Sequence, residues 1–389
     1  MNIEAIRKDT LGCERGIFLN SAGASLMPNP VVQTMKAYLE KEELAGGYTT
    51  AINQASAISE FYTEVANYLN AKPHNIAYAY NATDAFAKAL SSIHFQPGDY
   101  ILTTHDDYSS NQIAFLSLQK TIGIQLLKAR NLENGDIDLN HFEELAVKHR
   151  PKLVAVTHIP TNSGIIQPVN SIGNICNRLN IWYLLDACQS VGQLPLDVSK
   201  IQCDFLSATG RKFLRGPRGT GFLYVSDKAL NEGLEPLYID NRGADLNKQK
   251  NSYKAQDSAK RFEQWEYSMM SLVGLTEAIK YLNTIGIEHI YNYNQKLMQK
   301  FRQGLSQINN LFVLDVGSDL SNIVTLYKKN TKLLEFEKLL KTNLIDYTVS
   351  HKNYAAENII EVPVEWVVRF SPHYFNTNQE LQKVIDILR

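Results

Sequence analysis

Short runs of apolar, strand-forming residues at 76–80, 100–104, 153–157, 181–185, 204–208 and 221–225 alternate with longer stretches of helical periodicity at 57–69, 83–93, 111–120 and 169–179. Strands separated by segments long enough for crossover helices predict an α/β fold with a mainly parallel sheet sandwiched by helices. The runs are apolar on both faces, as strands inside such a sheet must be. The pattern changes after about Ser226. Residues 241–252 are polar and read as a long loop, a candidate flap over a site. Helical patterns at 272–285 and 291–308 precede strand candidates at 312–315, 323–327 and 366–370 and a last helix at 378–388. This order predicts a smaller α+β C-terminal domain.

A length of 389 residues with 44% hydrophobic residues buries a large core and allows two domains. Thirty-nine basic against 40 acidic residues leave a net charge of −1, so no global field favours nucleic acid or a membrane surface. A small-molecule substrate fits this balance better. With no signal-peptide pattern at the start and no apolar stretch of membrane-spanning length, the expected location is cytoplasmic. Cys13, Cys176, Cys188 and Cys203 lack Cys-x-x-Cys spacing, and the nine histidines form no ligand motif. Free thiols and no metal are therefore expected.

Candidate chemistry gathers just beyond the strand candidates, where open α/β sheets bind ligands. Asp186 ends the 181–185 run, and Lys212 follows the next strand in a turn rich in glycine. An amine that forms an imine and a carboxylate that pairs with a pyridinium nitrogen are the two groups that make pyridoxal 5′-phosphate an electron sink. Alternatively, Asp186 caps a helix and Lys212 is a solvated surface amine. Ala82 and Thr83 would open a helix and offer amides and a hydroxyl to a phosphate, although capping by Thr83 or Asp84 explains the same residues. Tyr108 can stack on an aromatic ring or simply pack at a helix start. Thr161 or Asn162, and Gln189, are candidates to meet a phenolic oxygen. Thr209 and Arg211 flank Lys212 and suit a phosphate.

These residues closely resemble the class V aminotransferase family of fold type I pyridoxal phosphate enzymes. That family includes cysteine desulfurases, carbon–sulfur lyases, kynureninases and isopenicillin N epimerases. The matching pieces stand in order: Phe18-Leu19-Asn20-Ser21-Ala22-Gly23, Asn81-Ala82-Thr83-Asp84, Asp186-Ala187-Cys188-Gln189, Thr209-Gly210-Arg211-Lys212, Arg261-Phe262-Glu263 and Val368-Arg369-Phe370-Ser371-Pro372. The resemblance implies a large domain on a mainly parallel seven-stranded sheet at 15–265 and a small domain at 266–389 with 1–14. It implies Lys212 as the Schiff-base lysine, Asp186 as the pyridinium partner and Gln189 as the phenolic-oxygen donor. Thr83, Thr209 and Arg211 become phosphate ligands, and Arg369 grips the substrate carboxylate, a task suited to a guanidinium fork. A surface ion pair is the other reading of Arg369. Family members are typically homodimers, and residues 262–266 resemble the part that reaches the partner's phosphate site. Trp265 would donate its indole hydrogen there, or else be a core tryptophan.

Two departures from desulfurases matter. No cysteine lies between His351 and Glu365, where desulfurases carry the persulfide-forming residue, and Arg211 stands where they place histidine. The run Arg211-Lys212-Phe213-Leu214-Arg215-Gly216-Pro217 looks more like the lyase and epimerase-like branch. The expectation is a pyridoxal phosphate-dependent C–S lyase acting on an amino acid. The alternatives are an aminotransferase or epimerase and, from another class, a catalytically silent scaffold.

Overall fold

The computed structural model describes residues 1–351 and 365–389. Its centre is a seven-stranded sheet in the order Ile76–Ala79, Gly221–Val225, Phe205–Thr209, Trp182–Asp186, Leu153–Thr157, Tyr100–Thr104, Gln125–Ala129. Gly221–Val225 runs antiparallel to both neighbours, and the other described pairings in the sheet are parallel. Successive side chains of a strand point to opposite faces. Thus Val154, Val156, Tyr183, Leu185 and Leu206 enter one core, while Leu153, Ala155, Leu184 and Phe205 enter another. Both faces are buried, which explains why these strands read as unbroken apolar runs.

A four-stranded antiparallel sheet, in the order Leu311–Val313, Val324–Lys328, Trp366–Phe370, Thr348–His351, forms with Ile287–Ser306 and Asn378–Leu388 a third core. The short strand Ile17–Phe18 pairs with Ile345–Asp346, so the start of the chain is stitched to this second body. Helix Met269–Ile285 falls on the C-terminal side of the boundary expected from the sequence. In the structure it packs on Asn29–Ala45 and Ala55–Leu69, and the chain passes to its new neighbours beyond Gly286.

Residues 241–252 are not one long loop. Ala244–Asn247 and Ser252–Ala255 pair as an antiparallel hairpin, and Asn251 takes a left-handed conformation at φ +46° beside the second strand. Each strand is only four residues long within a polar stretch, and the apolar members of its alternation, Leu246 and Tyr253, are exposed, which weakens the strand signal. Gln125–Ala129 and Leu139–His149 also lie outside the predicted elements. The strand is the sheet's edge, only partly buried, and includes Gln125 and Lys128, which weakens its strand signal.

Candidate active site

The carboxyl ends of the central strands open into a cavity of 560 Å³ lined by Ala82, Thr83, Tyr108, Asn111, Asp186 and Lys212 among others. Asp186 is the last residue of its strand, one position beyond the predicted run, paired across the ladder with Thr157 and Ser207. It is 4% exposed. Its Oδ2 accepts from Asn111 Nδ2 at 3.0 Å and its Oδ1 from the Cys188 amide at 2.9 Å. Burial pushes this carboxyl above its ordinary value, while the Asn111 and Cys188 hydrogen bonds and the Lys212 charge pull it down.

Lys212 is buried in the turn after Phe205–Thr209, which is closed by Arg215 N donating to Lys212 O and Gly216 N to Gly210 O. Burial lowers its pKa first, Arg211 and Arg369 add to that, and Cys188 and Asp186 oppose it. Its Nζ lies 6.0 Å from the centroid of the Tyr108 ring. Lys212 is therefore a buried amine facing the same space as Asp186, not a surface lysine. A Cβ at Gly221 would meet Ala208 O at 2.4 Å and the Asn81 backbone at 2.9 Å. Only glycine lets this strand pass so close beneath the 81–84 turn.

Helix Ala82–Ser91 begins on the same lining, and its first-turn amides have no acceptor within the helix. The cap is Asn81, whose side chain accepts from the Asp84 amide at 2.9 Å. Capping thus falls to neither Thr83 nor Asp84. Asp84 instead accepts from the Tyr80 amide at 3.1 Å and from Lys88 Nζ at 3.0 Å. Thr209 and Arg211 line the same cavity. Thr209 Oγ1 donates to Thr220 O at 3.1 Å, and Arg211 Nη1 donates to the Gly23 carbonyl. Arg218 joins them on the lining, although sequence reasoning did not single it out.

Thr161, Asn162, Gln189 and Arg369 form a neighbouring cluster instead of lining this cavity. Gln189 Nε2 donates to Ala22 O at 3.2 Å and to Thr161 Oγ1 at 3.4 Å, and its Oε1 is buried without a partner among the described residues. Asn162 Oδ1 accepts from Ser350 Oγ at 3.0 Å. Arg369 donates to Thr161 O at 3.1 Å, Thr348 Oγ1 at 3.2 Å and Asn20 Oδ1 at 3.4 Å. All three acceptors are neutral, and its Nε is buried without a partner among the described residues. Burial first, then Arg211, lowers its pKa to about 10. Arg369 is accordingly not a surface ion pair. It is a buried cation whose hydrogen-bonding capacity is partly unused.

Trp265 stands apart. It is 51% exposed and lines a separate groove of 830 Å³ with Tyr48, Ile52, Tyr62 and Arg242, so it is neither a core tryptophan nor part of this cavity. Asn111 and Asp107 are site residues that the sequence reading did not assign. Their signal was a carboxylate and an amide four residues apart at a helix start just beyond a strand.

The family model for aminotransferase class-V matches residues 17–384. A probable cysteine desulfurase of Methanothermobacter thermautotrophicus is 29% identical, with 98% of this chain and 96% of that protein covered. A probable cysteine desulfurase of Pyrococcus abyssi is 30% identical over 78% of this chain and 76% of its own length. Among solved structures, the apo cysteine desulfurase from Thermococcus onnurineus NA1 superposes with a TM-score of 0.89 at 25% identity, covering 100% of this chain and 97% of that one. A cystine C–S lyase solved with its product cysteine persulfide shares the fold, with a TM-score of 0.85 at 21% identity over 97% of this chain and 98% of that one. The chain therefore belongs to the class V aminotransferase family and is a pyridoxal 5′-phosphate-dependent lyase or transferase with the fold type I architecture.

Proposed function

We propose that this enzyme is a C–S lyase that eliminates a sulfur leaving group from Cβ of a cysteine derivative. The observation that carries the reading is the enclosure of the Asp186 carboxylate and the Lys212 amine in one cavity, with a helix start and Arg211 at hand for an anion. The residues suit pyridoxal phosphate because each end of that molecule would meet a complementary charge, and because Arg369 Nε and Gln189 Oε1 are buried beside the cavity without partners among the described residues. Asp186 would face the ring nitrogen, Lys212 the carbonyl carbon and Tyr108 the ring face. Ala82, Thr83, Thr209 and Arg211 would hold the phosphate, and Thr161, Asn162 and Gln189 would lie toward the phenolic oxygen. When bound, the cofactor supplies an electron sink for charge developing at Cα.

Lys212 removes the Cα proton. Its burial favours the neutral amine, the form that is both nucleophile and base. Arg369 takes the substrate carboxylate, since its acceptors among the described residues are neutral groups and no described carboxylate pairs with it. The Cβ–S bond then breaks, the electron pair leaves with sulfur as a thiol, and water uptake releases pyruvate and ammonia.

The cysteines support a lyase over a desulfurase that stores sulfur on its own thiolate. Burial raises the thiols of Cys13, Cys176, Cys188 and Cys203, the opposite of what a sulfur-accepting thiolate needs. The stretch without cysteine, named above as a departure from desulfurases, lies at 352–364 outside the described residues. The second reading, a cysteine desulfurase, is favoured by the names of the relatives.

Product analysis separates the two. Incubation with an S-substituted cysteine should give pyruvate and thiol in equal amounts, and incubation with cystine pyruvate and a persulfide, without added keto acid. Alanine as the main product from free cysteine would establish the desulfurase, and a strict need for a keto acid would establish transamination. In the same assay Arg369→Gln should raise KM for the amino acid roughly tenfold or more, as expected for a lost charge-assisted pair.

We further propose that two copies assemble over the Trp265 groove. Tyr48 and Ile52 are 74% and 75% exposed there, a cost that a partner surface would relieve. Glu263, buried beneath it, ties Tyr62, the Tyr78 amide and Arg242 together. Sedimentation should give twice the chain mass, and Ile52→Asp should shift the protein toward the monomer. A wild-type protein that stays monomeric at high micromolar concentration would rule this assembly out.

A further inference from the structure

Asp107 is a second carboxylate under the cavity floor. It is 6% exposed and accepts four hydrogen bonds: from Thr103 Oγ1 at 3.0 Å, from the Tyr108 amide at 2.8 Å, from Thr157 Oγ1, and from Asn111 Nδ2 at 3.3 Å. The same Asn111 nitrogen donates to Asp186 Oδ2 at 3.0 Å. One amide group therefore spans two buried carboxylates. Because both are acceptors, the amide is fixed with its nitrogen toward them and its oxygen away. Asp107 also holds the backbone at Tyr108, whose ring lines the cavity.

We propose that Asp107 is a positioning residue for this site: through Asn111 and Tyr108 it fixes the Asp186 carboxylate and the aromatic ring, and its charge reinforces that of Asp186 toward the bound cofactor. The inference rests on reading the cavity as the pyridoxal phosphate site. The groups facing Asp107 are Thr103 and Thr157 from two strands, Tyr108 N and Asn111 from the helix start, and Asp186 from a third strand. Among them Asp186 is the charged one. Burial is the main cause that raises Asp107 to about 6, and the Asp186 charge adds to it against the hydrogen bonds of Thr157, Thr103 and Tyr108.

The test uses protein reconstituted with pyridoxal phosphate, reading the pH dependence of its visible absorption and the affinity for the cofactor. Asp107→Asn keeps an acceptor for Tyr108 and Asn111 but removes the charge. Loss of a nearby anion disfavours protonated forms, so the absorption midpoint should move to lower pH by about half a unit or more. Asp107→Ala also releases Asn111 and should in addition weaken cofactor binding roughly tenfold. Asp315→Asn is the comparator, a buried carboxylate in the other sheet's domain paired with Arg302. It should lower the melting temperature without moving the midpoint. An Asp107→Asn protein with the wild-type midpoint overturns the proposal, whether or not Asp107→Ala folds. A wild-type protein that gains no visible absorption from pyridoxal phosphate would instead overturn the cofactor reading itself.

Discussion

Lys212→Ala should abolish covalent retention of pyridoxal phosphate and lower turnover by roughly 10³-fold or more, the scale of losing both a nucleophile and a general base. Two features of the site set this size. Lys212 is the lysine lining the cavity that holds Asp186, and burial has already shifted it toward the neutral amine. The variant should still fold, because Ala removes a group whose burial costs free energy. Dialysis followed by a visible spectrum checks the first part, and turnover of cystine checks the second. A variant that keeps its colour after dialysis and turns over at the wild-type rate would remove Lys212 from the mechanism. The pH sign follows from the same shift. With the folded amine losing its proton more readily than an ordinary lysine, cofactor incorporation should reach its midpoint below pH 10.5.

Much of this architecture was legible because burial on both faces of a sheet leaves a direct trace. Leu153–Thr157 is fully buried at every position, and its apolar run marks both its extent and its place inside the sheet. The same logic located Asp186, a charge at the end of such a run. What the sequence does not carry is the third dimension of the site. Gln189 lies one turn beyond Asp186 along the chain, yet its amide is directed to Ala22 and Thr161, and the cavity is lined by Asn111 instead. Asn111 joins Asp186 only because Tyr100–Thr104 and Trp182–Asp186 flank Leu153–Thr157 in the sheet, an order no local pattern specifies. The exposed hairpin at 244–255 was missed for a related reason. Its strands pair with each other and bury little, and four residues of alternation in each, with Leu246 and Tyr253 left exposed, stand out poorly from the polar stretch around them.

Asp186→Ala should lower turnover by about 10²–10³-fold, the usual scale for removing one preorganised electrostatic partner, and yet leave the cofactor-free protein at least as stable as the wild type. The two effects have one cause. Burial raises the folded pKa of Asp186 above its ordinary 3.8, so the folded state binds this proton more tightly than the unfolded chain does. Its favourable contribution to stability is fully present below pH 3.8 and is lost as the pH rises through the raised folded value. At neutral pH the cofactor-free wild type thus carries a buried carboxylate that the variant lacks. Melting curves of the cofactor-free proteins should therefore show the variant's advantage above that value and its disappearance in acid. Saturating pyridoxal phosphate should reverse the order if Asp186 has the proposed role, because a cationic ring nitrogen would then give the wild-type carboxylate a partner. If the variant instead melted lower than wild type by the same margin with and without cofactor, Asp186 would be serving the fold through Asn111 and Cys188 alone. The cavity would then have lost its anionic pole.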